Sequence, residues 1–223
     1  MVLEFIYKSS LFHPMENKFC IVFDFDGTIA DSMPLLISLF NRLAADYGFQ
    51  KVDQKEVDKF RNRTTKDMLK KLAIPTYKLA KIVKKVRNEF NRDIDKLRPV
   101  KGIEVVLKDL HKKNSQMGIL TSNSEVNVKA FLLKNKIDFF DFIYAGSSIF
   151  GKSRVLKKML KAEKLSAEKV IYVGDETRDI DAAKKCNVKV ISVGWGFNSA
   201  QILQRHNPDW FVSKPKELSQ IFK

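Results

Sequence analysis

Histidine and cysteine are scarce in this chain, at three and two of 223 residues. His13, His111 and His206 stand far in sequence from every acidic motif. That spacing argues against histidine-based phosphatase or metalloprotease chemistry. Cys20, inside an apolar run, and Cys186, near a predicted helix end, do not make a disulfide framework and are expected to be buried thiols. No apolar run approaches the ~20 residues of a membrane helix, so a soluble protein is expected. The opening Met1–Tyr7 carries Glu4, with no basic leader and no small-residue cleavage pattern. It does not resemble a secretory signal, and the cytoplasm is the expected location. Met15, just before the first strand, stands beside Met1 as a second possible start. Repeats, low-complexity tracts and long flexible linkers are also missing.

Acidic residues are outnumbered, 26 against 41 basic, for a net charge of +15. The excess is concentrated between Lys51 and Lys101, with roughly 17 basic and 7 acidic residues. Such a patch can attract phosphorylated metabolites, nucleic acid or acidic surfaces. Here the basic residues are not interleaved with stacking aromatics or glycine-rich loops, so the patch is taken as a solvated lysine-rich helical face and nucleic acid is not an expected partner.

What the chain does have is an apolar run, Phe19–Phe23, that ends in Asp24-Phe25-Asp26-Gly27-Thr28. Its length, β-branching and aromatic content fit a strand buried on both faces. Asp24 and Asp26 then share one side at its carboxyl end, and Gly27 permits a sharp turn. Helical spacing follows from Pro34 to Tyr47, from Gln54 to Phe60, after Thr64, and from Pro75 to about Leu97, with Pro99 as a stop. Residues 31–99 are therefore expected to be all helical. From Gly102 onward helices alternate with strands Gln116–Leu120, Phe142–Tyr144, Val170–Val173 and Lys189–Val193, with Trp210–Val212 as a possible edge strand. Alternation of this kind predicts a parallel sheet with helices on both faces.

Three more stretches carry polar residues where apolar sequence stops. Thr121-Ser122-Asn123 follows the second strand and offers a hydroxyl and backbone N–H groups to an anion, although such residues also cap helices. Gly174-Asp175-Glu176-Thr177-Arg178-Asp179 follows a later strand, with Asp175 and Asp179 spaced to meet on the first turn of a helix; complementing the helix dipole is the plainer role. Lys152 lies between them and precedes a helix.

Taken in order, Asp24-Phe25-Asp26-Gly27-Thr28, Thr121-Ser122-Asn123, Lys152 and Gly174–Asp179 resemble the four motifs of the haloacid dehalogenase superfamily, over residues 19–213. The helical stretch after the first motif resembles that superfamily's helical cap of the first type, and the chain is most similar to its phosphoglycolate phosphatase-like hydrolases. The resemblance implies a Rossmann-like doubly wound parallel sheet from residues 1–30 and 100–223, with an inserted helical cap domain at 31–99. It implies Asp24 as nucleophile and Asp26 as general acid and then base. Thr121 and Lys152 would hold the transferring phosphoryl, aided by the backbone amides of Phe25, Ser122 and Asn123. It implies Mg²⁺ held by Asp24, the Asp26 carbonyl, Asp175 and Asp179, with Asp179 orienting either a metal-bound water or Lys152, and Glu176 as an additional candidate. The expected substrate is a small phosphorylated metabolite, phosphoglycolate or similar, with monomer and homodimer both open.

Asp26 separates this pattern from true haloacid dehalogenases, which lack the second aspartate. A sugar-phosphate mutase, a phosphonatase using a cap lysine, and a non-catalytic binder using the basic cap remain as alternatives. Arg61, Arg63 and Thr64, with Thr65, lie in a cap loop that can face the site and meet a second acidic group of the substrate. An exposed connection is the alternative there. Gly194-Trp195-Gly196-Phe197 is expected to shape the rim of the site.

Overall fold

β1 (Cys20–Phe23) is buried along its whole length. Its side chains divide between two cores as a period-two strand requires. Ile21 and Phe23 pack with Leu107, Phe131 and Leu218, whereas Cys20 and Val22 pack with Leu156, Met159 and Ile180. A computed structural model describes residues 19–71, 76–113, 115–146 and 151–222. The alternative starts Met1 and Met15 lie outside the described residues, as does Pro75.

Among the described residues one six-stranded sheet forms, in the order β3 (Phe142–Tyr144), β2 (Met117–Leu120), β1, β4 (Val170–Gly174), β5 (Lys189–Val193), β6 (Trp210–Val212). Every pairing is parallel. One face packs against α5 (Ile103–Lys112), α6 (Glu125–Lys134) and α10 (Pro215–Ile221), the other against α7 (Lys152–Ala162), α8 (Thr177–Lys184) and α9 (Ala200–Arg205). This is the doubly wound arrangement expected from the alternating pattern. The carboxyl ends of β1 and its neighbour β4 lie side by side where the strand order reverses, the place where open α/β sheets bind ligands.

Between β1 and α5 the chain forms α1 (Met33–Tyr47), α2 (Gln54–Arg61), α3 (Thr65–Lys71), α4 (Thr76–Arg92) and a 3₁₀ turn at Ile94–Lys96. Gly48 ends α1 in the left-handed region, at φ 71°, with its N–H on the Ala44 carbonyl. The Asp53 carboxylate caps α2 by accepting from the Glu56 N–H at 2.8 Å. Val52, Val57 and Phe60 form a small core of this block with Met33, Ile37, Phe40 and Met68 around it. The chain enters and leaves the block through paired passages. Asp31 N–H donates to the Arg98 carbonyl at 2.9 Å and Val100 N–H to the Ile29 carbonyl at 2.8 Å, flanking an antiparallel bridge between Ala30 and Pro99.

The last helix of the block ends at Arg92 rather than near Leu97. The Asp93 carboxylate there takes Lys96 at 2.5 Å and Arg42 at 3.2 Å, contacts that favour the turn over a continued α-helix. Likewise α7 and α8 stop short of the expected Lys164 and Cys186. Lys164 and Asn187 adopt φ of 54° and 55°, turning the chain out of each helix. No helix among the described residues is long and apolar enough to cross a membrane.

Candidate active site

The site is built where β1 and β4 run out. Asp24 is buried directly after β1. Its Oδ1 accepts the Phe25 N–H at 2.8 Å and its Oδ2 accepts from Lys152 Nζ at 2.6 Å. Lys152 opens α7, is itself buried, and also donates to Asp179 Oδ1. The other Asp179 oxygen accepts the Glu176 N–H at 2.9 Å, fixing the start of α8. Asp175, one residue past β4, accepts from the Thr28 hydroxyl at 2.7 Å and from the Phe197 N–H at 2.6 Å. One carboxylate oxygen each from Asp24, Asp175 and Asp179 lie within 4.8 Å of one another, all three residues buried. Gly27 makes this convergence possible: its φ is +77°, and a Cβ there would stand 2.3 Å from Asp175 Oδ2.

Asp26 faces a different neighbourhood. The Asn123 side-chain amide donates to its carboxylate at 3.0 Å, and Asn127 Nδ2 donates to Asn123 Oδ1 at 2.8 Å to fix that amide. Thr121 Oγ1 accepts the Asn123 N–H at 3.0 Å. The Phe25 and Asn123 amides expected to serve an anion are thus both engaged within the protein here. Thr121 is fully buried and Ser122 lies on a cavity beside Asp26.

Burial pushes the Asp24, Asp26 and Asp175 carboxyls above their ordinary range, Asp175 furthest because Glu176, Asp24 and Asp179 add repulsion. Burial likewise lifts Asp179, to about 6, against the pull of Lys152. For Lys152 burial works downward, but Asp179 and Asp24 outweigh it and the ammonium is held up. Glu176 is the exception among the carboxylates: the adjacent Arg178 guanidinium, whose Nε lies 2.8 Å from Glu176 Oε1, overcomes burial and draws it down. Three crowded carboxylates with raised affinity for protons are a set that one divalent cation would satisfy. Their donors are all oxygen, the preference of a hard cation, and the cluster can hold one.

The helical block reaches the site at several points. Arg61 and Arg63 line a cavity of about 350 Å³ between that block and the strand ends, where Asp26, Ser122, Asn123 and Glu176 border it. Thr64 does not line it: its hydroxyl accepts the Asp67 N–H at 3.2 Å and donates to the Asp67 carboxylate at 2.6 Å, so it caps α3. The neighbouring Thr65 instead donates to Glu176 Oε2 at 3.0 Å. Arg87 donates to the Ser122 carbonyl at 3.2 Å. Sequence reasoning assigned nothing to Asn198, which is buried between the two halves. Its Oδ1 accepts the Thr177 N–H at 2.9 Å, and its Nδ2 donates to the carbonyls of Arg61, at 3.2 Å, and Arg63, at 3.0 Å. A lone asparagine in a loop gives no signal of this. Thr28 was within the first motif without a role, and Trp195 donates from Nε1 to the Thr28 carbonyl at 3.1 Å and packs on the core, whereas Phe197 is the member of its stretch that lines the cavity.

Comparison with known proteins gives a consistent result. The family model described as haloacid dehalogenase-like hydrolase matches residues 21–193. A phosphoglycolate phosphatase of Synechococcus elongatus is 32% identical over 201 residues, 90% of this chain and 95% of that protein. The pyrophosphatase PpaX of Halalkalibacterium halodurans is 26% identical over 206 residues, with coverage of 90% and 95%. Among solved structures, a haloacid dehalogenase-like family hydrolase of Streptococcus pneumoniae superposes with a TM-score of 0.80 at 23% identity, covering 94% of this chain and all of that one. CbbY of Rhodobacter sphaeroides, solved in complex with phosphate, gives 0.72 at 19% identity, covering 91% and 96%. Because the family match runs from β1 through β5, and so takes in every strand end that carries the acidic cluster, the chain belongs to the haloacid dehalogenase-like hydrolase family.

Proposed function

We propose that the chain is a Mg²⁺-dependent phosphatase that hydrolyses small phosphomonoesters through a phosphoryl group carried transiently on Asp24. The observation that carries this reading is the setting of Asp24, a buried carboxylate braced by Lys152 beside two further aspartates, with the hydrogen-bonded Asp26 two residues on. Asp24 attacks phosphorus while Asp26 gives its proton to the departing alkoxide. Asp26 then takes a proton from the water that attacks the aspartyl-phosphate, releasing inorganic phosphate and restoring Asp24. The burial that raises the Asp26 pKa suits a group that must hold a proton and return it.

Lys152 and Thr121 hold the phosphoryl oxygens. The amides of Phe25, Ser122 and Asn123 add donors, those of Phe25 and Asn123 by exchanging their present internal partners. Asp24, Asp175, Asp179 and the Asp26 carbonyl would hold Mg²⁺, whose charge lets a carboxylate approach a phosphate dianion. Residues 31–99 act as a cap over a core of residues 1–30 and 100–223, hinged at the paired passages around Ala30 and Pro99, and closure excludes water. On this reading the enzyme works in the cytoplasm, as a monomer or homodimer. Phosphoglycolate is the first metabolite to assay, given the Synechococcus relative.

The test is phosphate release from p-nitrophenyl phosphate. Turnover that disappears with EDTA and in Asp24→Asn supports the reading; turnover that survives either treatment rejects it.

A further inference from the structure

The cavity between the helical block and the strand ends has walls of two kinds. On the side of the strand ends it meets Asp26, Ser122 and Asn123. Away from them its walls are apolar, set by Leu36, Phe40, Phe60, Met68, Ile82 and Phe90. Its volume, about 350 Å³, falls in the ~300–1,000 Å³ range of pockets that enclose drug-sized ligands. A two-carbon acid would leave most of it unfilled.

Four arginines also border the cavity, and two of them are engaged by protein groups. Arg178 is paired with Glu176 at 2.8 Å, Arg87 donates to the Ser122 carbonyl at 3.2 Å, and Arg63 is exposed. Arg61 differs. Its Nε is buried and has no hydrogen-bond partner. Buried donors are rarely left unmatched, and because Arg61 lines the cavity, turning its guanidinium toward a ligand acceptor is one way to match this one.

We propose that the substrate is a phosphomonoester whose alcohol portion is an apolar body of about six carbons bearing one hydrogen-bond acceptor for Arg61, rather than a two-carbon acid. This rests on the phosphatase reading for its chemistry, while the pocket itself is a binding site that can be tested without turnover. Asp26, which on that reading protonates the leaving oxygen, lines the cavity, so the alcohol carbon chain extends from there along its apolar walls. Water leaving those walls favours each added methylene, by about fourfold per CH₂.

The test uses two probe series with the full chain and Mg²⁺. Alkylphosphonates from ethyl to hexyl, read by calorimetry, are expected to bind about fourfold more tightly per methylene; affinity independent of length overturns the proposal whether or not the protein turns over any ester. Alkyl phosphates of the same lengths keep leaving-group basicity constant. Their kcat/KM is expected to climb in the same way and to pass that of phosphoglycolate, and a phosphoglycolate value above hexyl phosphate overturns it. A terminal ketone on the hexyl chain is expected to strengthen binding in the wild type and to lose that advantage in Arg61→Met; an unchanged advantage removes Arg61 from the site. Length-dependent phosphonate binding with no hydrolysis of p-nitrophenyl phosphate would keep the pocket and reject the phosphatase chemistry.

Discussion

Gly196→Ala offers a direct test of whether the position of Asp175 matters. A Cβ on residue 196 would lie 2.2 Å from Asp175 Oδ2, 2.3 Å from its Cβ and 2.4 Å from its Cγ, where ordinary contact begins at 3.4 Å. Rotating the carboxylate alone cannot relieve this, because the Asp175 Cβ is struck as well. Either the loop after β5 or the end of β4 must move by about 1 Å. That movement separates Asp175 Oδ2 from the Phe197 N–H, now at 2.6 Å, and draws one carboxylate out of the three-aspartate cluster. Overpacking costs about 1–3 kcal/mol, and loss of a hydrogen bond to a charged group about 1.5–3 kcal/mol. A displacement near 1 Å is expected to lower kcat by about 10²-fold and to raise the Mg²⁺ concentration for half-activity. Phosphate release titrated with Mg²⁺, alongside thermal melting, reads both effects. Gly118→Ala is the control: its Cβ would strike Phe142 at 1.9 Å between β2 and β3, so the Tm should fall while the Mg²⁺ dependence of the folded fraction stays put. If Gly196→Ala keeps kcat and Mg²⁺ half-saturation within about twofold of wild type, the proposal that Asp175 holds the metal is rejected.

Lys152→Met removes the only ammonium bonded to both Asp24 and Asp179 among the described residues. Breaking a buried pair costs about 3–5 kcal/mol, and kcat should fall about 10²–10³-fold; wild-type activity in this variant would remove Lys152 from the chemistry. In the metal-free protein the raised carboxyls, with Asp179 at about 6, mean that the native state binds more protons than the unfolded chain. Their contribution therefore turns unfavourable as pH rises from about 4 through 6. Mg²⁺ should accordingly raise the Tm more at pH 7.5 than at pH 5, and a shift independent of pH would contradict the cluster's role. Asn198→Ala leaves the Thr177 N–H and the Arg63 carbonyl short of a partner, at about 1–3 kcal/mol, while the Arg61 carbonyl keeps the Ser199 N–H at 2.8 Å; trypsin should then cut at Arg61 or Arg63 several-fold faster. Burial pushes the Cys20 thiol up to about 12. It should resist alkylation at pH 8 until urea unfolds the chain, and rapid labelling of the native protein would show β1 to be more open than described.

The sheet was legible because each strand carries its own signal. β1, β3 and β5 are short apolar runs whose neighbours alternate with helix-period segments, and parallel burial makes such runs nearly continuous. Helix ends were less legible. Lys164 and Asn187 turn the chain out of α7 and α8 by adopting a left-handed conformation, which asparagine favours but lysine does not advertise. The end of α4 depends on Asp93 finding Arg42, a residue 51 positions earlier. In the cap loop the sequence favoured Thr64, yet Thr64 serves its own helix and Thr65 turns to Glu176. Adjacent positions with the same chemistry are separated only by where the helix begins.

The sequence by itself determined which groups stand at strand ends: Asp24, Asp26, Thr121, Asp175 and Asp179 follow apolar runs, and an α/β sheet brings such ends to one edge. Only the tertiary structure decided how those groups are shared. It sets Lys152 between Asp24 and Asp179, Thr28 on Asp175, Asn123 on Asp26, and Asn198 between Thr177 and the Arg61–Arg63 backbone. It also lines the space beyond Asp26 with apolar side chains from the helical block. The reason is physical. Position along a strand is a local property of the chain, whereas the partner of a buried polar group is chosen by whichever donor or acceptor the packed fold delivers within about 3 Å of it.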